Sequence, residues 1–271
     1  MTPNSLPISV DGVLHAPGEA RLRADNAGFA HGVAVFDTLL CERGRLVWLE
    51  PHMQRLAAGC LALEIDAPLP AALARAVEEY ARQLPPQVLA VRTTVARNAG
   101  EAAATVVIAA RTFEPAPADG ITLVVERRFA LAGDALDSIK TTNRARHVAA
   151  TLAARRAGAF DAVFLHSSGD AVCAANANLW AVVDERLTTP PLARGALRGI
   201  VRGLLVAQAQ LEVREAPLAL ADLSRASEIF LTNSLHGAIP VLEITGVRAG
   251  LPGPRGVWER RVRELLAALP R

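Results

Sequence analysis

Residues 112–120 (T-F-E-P-A-P-A-D-G) constrain this chain more than any other segment, because neither a helix nor a central strand runs through two prolines and a closing glycine. The stretch reads as a linker, with a smaller domain over residues 1–111 and a larger one over residues 121–271. Ahead of it, residues 33–40 read as a strand, 42–45 as a Gly-containing turn and 46–49 as a returning strand, which makes a hairpin. A helix follows from Glu50, with Met53, Leu56, Cys60 and Leu63 at roughly 3.6-residue spacing on one face. Residues 71–83 give a second helix, and 87–96 and 104–111 two further strands. This is an α+β unit. Beyond the linker, strands at 121–126, 162–166, 179–183, 211–214 and 228–232 alternate with helices near 144–157, 199–209 and 257–269, the pattern of an α/β unit.

Composition excludes several functions. Hydrophobic residues make up 51% of the 271 and charged ones 21%, so the chain folds, and a net charge of +2 without clustered bases argues against nucleic acid. No run of about 18 apolar residues suggests a membrane span. Residues 1–10 lack the basic start and apolar core of a signal peptide, so the cytoplasm is expected. Cys41, Cys60 and Cys173 are widely spaced, without a CxxC pair or a His cluster, and predict neither a disulfide framework nor a metal site.

Lys140 is the only lysine, against 28 arginines. Arginine does most of what lysine does at a surface, but its guanidinium stays protonated and cannot attack a carbonyl as a neutral amine. A role reserved for lysine, above all a Schiff base with an aldehyde cofactor or carbonyl substrate, competes here with one lysine surviving on a solvated face.

Four segments around Lys140 carry a resemblance. They are Gly28-Phe29-Ala30-His31-Gly32 running to Val35-Phe36-Asp37-Thr38; His52-Met53-Gln54-Arg55-Leu56; Ile139-Lys140-Thr141-Thr142-Asn143-Arg144; and Phe230-Leu231-Thr232-Asn233-Ser234 with Pro240-Val241. In this order the chain resembles the class IV aminotransferase family. The resemblance implies a two-domain fold type IV (D-amino acid aminotransferase-like) pyridoxal phosphate enzyme, acting on a small-molecule substrate as a homodimer. Within the family it is similar to the lyases that convert 4-amino-4-deoxychorismate to 4-aminobenzoate and pyruvate, the Asn143-Arg144 pair and the L-T-N-S run at 231–234 being closest to them. An aminotransferase of D-amino or branched-chain amino acids is the alternative, and a cofactor-binding protein with little catalysis a further one.

The resemblance also assigns residues. It makes Lys140 the Schiff-base lysine and proton shuttle, and Arg55 the phosphate arginine, whose planar fork suits two oxygens, with a solvated helix arginine as its rival. It makes Gly199-Ile200-Val201 a helix-start phosphate turn, with Val201 where the family has threonine, and Ser234 a hydroxyl donor that otherwise braces its own turn. Thr38 matches a proton donor to the departing pyruvate, or is simply a strand residue. His31 and Arg97 are candidates for substrate contact, with packing and solvated roles as equals, and the loop that follows is shortened to N-A-G-E-A at 98–102. Cys173 stands where the family has the glutamate that meets the cofactor's pyridine nitrogen. A thiol of reference pKa about 8.5 supplies no charge there at neutral pH, and a small buried strand residue is the competing reading.

Overall fold

The computed structural model describes residues 6–98, 100 and 103–270. The N-A-G-E-A loop lies partly outside them, at 99, 101 and 102. The described chain separates into two compact units, one formed by Met1–Glu114, Lys140–Asn143 and Pro270–Arg271, the other by Pro115–Ile139 and Arg144–Leu269. A division at one linker does not anticipate the return of the lysine segment to the first unit.

The first unit contains β1 (Ile8–Val10), β2 (Val13–His15), α1 (Ala27–Ala30), β3 (Ala34–Glu42), β4 (Arg45–Leu46), α2 (Leu49–Ala62), α3 (Pro70–Ala81), β5 (Val88–Ala96) and β6 (Thr105–Thr112). Its six strands form an antiparallel sheet in the order β2-β1-β6-β5-β3-β4. β3 pairs with β5 along its whole length, from Ala34 opposite Ala96 to Glu42 opposite Val88. Arg43 and Gly44 both have positive φ, 53° and 85°, as a two-residue hairpin turn demands. The returning strand stops at Leu46, earlier than its composition predicts, because Trp48 turns the chain with φ 53° to open α2 at Leu49. The indole of Trp48 is buried and donates to the carbonyl of Pro270 at 3.0 Å. Met53, Leu56 and Cys60 form the buried face of α2, as their spacing predicts.

β4 pairs only with the Cys41–Glu42 end of β3. At the other end of β3 the lysine segment takes the edge: Phe36 N donates to Lys140 O and Thr142 N to Ala34 O, both at 2.9 Å, with Val35 bridged to Thr141. Those backbone groups are thereby satisfied.

The second unit contains β7 (Ile121–Leu131), α4 (Ala135–Ser138), α5 (Ala145–Arg156), β8 (Asp161–His166), β9 (Ala171–Ala174), β10 (Ala177–Val183), β11 (Arg186–Thr189), α6 (Ile200–Val206), β12 (Arg214–Glu215), α7 (Leu220–Arg225), β13 (Glu228–Asn233), β14 (Gly237–Ile244) and α8 (Val257–Ala268). The sheet order is β12-β11-β10-β13-β14-β7-β8-β9, and β9 pairs back onto β10, so six of the strands close on themselves. Leu123, Val163, Ala174, Leu179, Leu231 and Val241, one from each closed strand, fill the interior. A second apolar cluster, with Phe164 and Cys173, packs against Ala150 and Ala154 of α5.

Besides β1 and β2 of the first unit, three strands of the second escape a reading of the sequence. β9 and β11 have only four residues each, and β14 carries Pro240, which lacks a ladder donor. The strand expected at 211–214 shrinks to Arg214–Glu215, because Glu212 is left-handed with φ 45° after a turn of 3₁₀ helix. Among the described residues no helix is long and apolar enough to cross a membrane.

Candidate active site

Strand alternation sorts the chemistry of the first unit onto two faces of β3. Phe36 and Thr38 point one way and Asp37 the other. On the Phe36 face, the Lys140 Nζ lies 4.8 Å from the ring centroid and the Arg92 guanidinium carbon 3.6 Å from it. Arg92 sits opposite Thr38 in the β3–β5 register, so lysine, arginine and hydroxyl share one face with the ring. Burial lowers the Arg92 pKa, and Arg111 adds to that effect. Arg92 is absent from the residues the sequence suggests, which include Arg97; its signal is a charged side chain within a strand of valine, alanine, leucine and threonine.

On the opposite face Asp37 is completely buried. Its Oδ2 accepts from Arg55 Nε at 2.8 Å, and its Oδ1 from Arg55 Nη2 at 2.7 Å, from His52 Nδ1 at 2.7 Å and from the Thr38 amide at 2.7 Å. Burial alone would raise this carboxyl, but Arg55 and His52 outweigh it and hold it well below the usual carboxylate range. His52 and Arg55 reach the same carboxylate because three residues along a helix share a face. Arg55 is therefore no solvated helix arginine. The Nε/Nη2 edge of its fork is committed to Asp37.

His31 caps the C-terminus of α1 with its amide bonded to Ala27 O, and its side chain is exposed. The backbone of Arg97 is tied to that turn, its amide donating to Val33 O at 3.1 Å and its carbonyl accepting from Gly28 at 3.4 Å. Thr142 and Asn143 fasten the same turn to the lysine segment through Gly32 O, and Gly32 must be glycine: φ is +68°, and a Cβ would lie 2.1 Å from Asn143 Oδ1.

In the second unit, Cys173 pairs with Phe164 on β8 and Asn178 on β10. Burial pushes its thiol up to about 12, against the lowering influence of Arg144. It is a neutral packing residue at physiological pH. Asn178 donates to Leu197 O at 2.9 Å, and Gly199 approaches so closely that a Cβ would lie 2.0 Å from Asn178 Oδ1. Gly199 caps α6, whose first-turn amides from Ile200 and Val201 have no acceptor within the helix. The Val201 side chain is buried and offers nothing polar. Ser234 is half-buried in the β13–β14 turn, which Asn233 braces by accepting from Leu235 N and His236 N. The turn does not depend on the serine hydroxyl.

The sequence matches Amino-transferase class IV over residues 34–244. It is 29% identical to a putative branched-chain-amino-acid aminotransferase of Methanocaldococcus jannaschii, over 84% of each chain. It is 28% identical to a bifunctional aminodeoxychorismate lyase / D-amino acid transaminase of Mycobacterium tuberculosis, covering 89% of this chain and 92% of the relative. A solved structure of a hypothetical aminotransferase from Mycobacterium tuberculosis in its PLP-bound form superposes with a TM-score of 0.82 at 29% identity, covering 97% and 98% of the two chains. The chain belongs to the class IV aminotransferases, enzymes that use pyridoxal phosphate.

Proposed function

We propose that this protein is an aminodeoxychorismate lyase, releasing 4-aminobenzoate and pyruvate from 4-amino-4-deoxychorismate. The observation that carries this reading is the shared face of Lys140 and Thr38, an amine and a hydroxyl on one side of β3. Elimination needs a base at the carbon that loses its proton and an acid for the departing group. Lys140 takes the first role, and Thr38 gives its proton toward the departing pyruvate. The bifunctional relative, with lyase activity in its name, supports the same assignment.

Pyridoxal phosphate is assigned to this chain first through its single lysine. Lys140 is the attachment point. By the resemblance the phosphate is assigned to Arg55 in the first unit, and to the helix-start amides of Ile200 and Val201 and the Ser234 hydroxyl in the second. When bound, the cofactor supplies the electron sink that acidifies the substrate C–H bond. Cys173, which the resemblance assigns to the ring nitrogen, does not suit that role, because its buried thiol is neutral and cannot hold a proton there by charge. A weak sink favours the lyase, since formation of an aromatic product supplies driving force that transamination lacks.

The second reading, a branched-chain or D-amino acid aminotransferase, draws on Arg92, a cation placed to meet a substrate carboxylate, and on the archaeal relative's name. In either case His31 is assigned to the substrate opening and Arg97 to a substrate carboxylate. A homodimer goes with both, as the family resemblance implies. Purified protein with added cofactor separates the readings. Release of 4-aminobenzoate supports the lyase, amino-group transfer to a keto acid overturns it, and neither reaction leaves a cofactor-binding protein with little catalysis. Sedimentation velocity tests the dimer.

A further inference from the structure

Arg55, Arg146, Arg202 and Arg263 each meet a carboxylate, on Asp37, Asp137, Glu215 and Glu259 in turn. Arg92 and Arg111 do not. Among the described residues Arg92 hydrogen-bonds only to Thr94 Oγ1 and Arg111 only to the Thr112 carbonyl, both at 3.3 Å. The two nevertheless share one face of the first sheet. Arg92 is opposite Ala109 on β6, and Arg111 follows Ala109 by two residues, so the arginines are diagonal cross-strand neighbours, a spacing of about 7–8 Å that long side chains bridge. After burial, the charge of Arg111 is the other influence that lowers the Arg92 pKa. Both side chains reach solvent. Two like charges side by side repel, and an anion that spans them removes that repulsion.

We infer that Arg111 is a specificity-determining residue: with Arg92 it makes a two-cation face that selects a dianionic substrate, one carboxylate to each guanidinium. This deepens the lyase reading and rests on it for the identity of the ligand, because a substrate that yields 4-aminobenzoate and pyruvate carries the carboxylate of each product. Arg92 stands opposite Thr38 in the β3–β5 register, so the half that leaves as pyruvate, to which Thr38 gives its proton, brings its carboxylate to Arg92. Arg111, one strand farther from β3, takes the carboxylate that stays on the ring. A planar guanidinium offers a carboxylate two parallel N–H donors, so each end of the ligand is held in orientation as well as by charge. Arg97 lies past the end of β5 and stands outside this pair. A ligand with one carboxylate satisfies one cation and leaves the other unpaired, which is the basis of the selection.

The experiment titrates two probes by calorimetry into the protein with pyridoxal phosphate added. 3-(Carboxymethoxy)benzoate carries both carboxylates, and phenoxyacetate lacks only the one on the ring. Wild type is expected to bind the dianion about tenfold or more tighter than phenoxyacetate. Arg111→Gln, a change at an exposed side chain, is expected to raise the Kd of the dianion about tenfold while that of phenoxyacetate stays within about threefold of wild type. Wild type that binds the dianion no tighter than phenoxyacetate, or binds neither, would overturn the inference. So would an unchanged Kd for the dianion in Arg111→Gln, and parallel weakening of both probes would make Arg111 merely structural. Product release separates this inference from the reading beneath it. Selective binding of the dianion through Arg111 without release of 4-aminobenzoate removes the lyase and leaves the two-cation face. Release of 4-aminobenzoate with the same KM in wild type and Arg111→Gln removes the role of Arg111 and leaves the lyase, whereas the expected result is a KM raised about tenfold at little change in kcat.

Discussion

The amine of Lys140 lies 4.8 Å from the centroid of the Phe36 ring, and the backbone carbonyl of the same lysine accepts from the Phe36 amide at 2.9 Å. One residue of β3 therefore holds the lysine at both ends. The ring supports a cation on its face, and the hydrogen bond fixes the stem from which the amine projects.

Borohydride treatment of the protein with pyridoxal phosphate is expected to leave a stable adduct on the peptide containing residue 140, and no adduct in Lys140→Arg, which keeps the charge but has no nucleophilic amine. Peptide mass mapping checks both.

Arg55→Ala is expected to cost about 3 to 5 kcal/mol of stability, because it leaves the Asp37 carboxylate buried without its guanidinium partner. Chemical denaturation of the cofactor-free protein measures this. A loss smaller than about 1 kcal/mol would mean that Asp37 finds another cation or reaches water. Variants at 55 therefore need a stability check before any change in cofactor affinity is assigned to the phosphate.

Thr38→Val keeps the β-branched shape and removes the hydroxyl. Release of 4-aminobenzoate is expected to fall about 10² to 10⁴-fold, the usual worth of a positioned proton donor, while Lys140-dependent proton exchange from a bound amine persists. Single-turnover product release and deuterium incorporation separate the two steps, and equal losses in both would remove Thr38 from the acid role.

Cys173 makes stability fall on the alkaline side. Its thiol has a reference value of 9.0 and is pushed up to about 12 by burial, so between those values the unfolded chain releases a proton that the folded one keeps. The contribution is present in full below pH 9 and is lost as the pH rises toward 12. Cys173→Ala is expected to flatten the decline of the melting temperature over that range. Cys173→Glu tests the chemistry: faster α-proton exchange is expected if a carboxylate can reach the ring nitrogen, at a packing cost of about 1 to 3 kcal/mol read from thermal unfolding. A folded, cofactor-binding variant that exchanges no faster would show that residue 173 does not control the electron sink.

Local pattern carried much of this architecture. The period of Met53, Leu56 and Cys60 gives α2 its buried face, the apolar run at 33–40 becomes β3, and a lone lysine among arginines points to imine chemistry without any coordinates. These are properties of neighbouring residues and of side-chain chemistry, which a sequence states directly. What folding alone decided is non-local. Asp37 becomes the partner of Arg55 because a strand and a helix 18 positions apart pack together, and nothing in the local composition of a buried strand announces which carboxylate an arginine will find. Residues 140–143 join the first unit by pairing with an edge of β3 that the short β4 leaves uncovered. β9, only four residues long, closes the second sheet by pairing on both sides, and the apolar cluster under α5 removes water from Cys173 and keeps its thiol neutral. Each of these depends on which surfaces meet, because hydrogen-bond pairing at an open strand edge and desolvation in a packed layer are set by the tertiary neighbours and not by the residues adjacent in the chain.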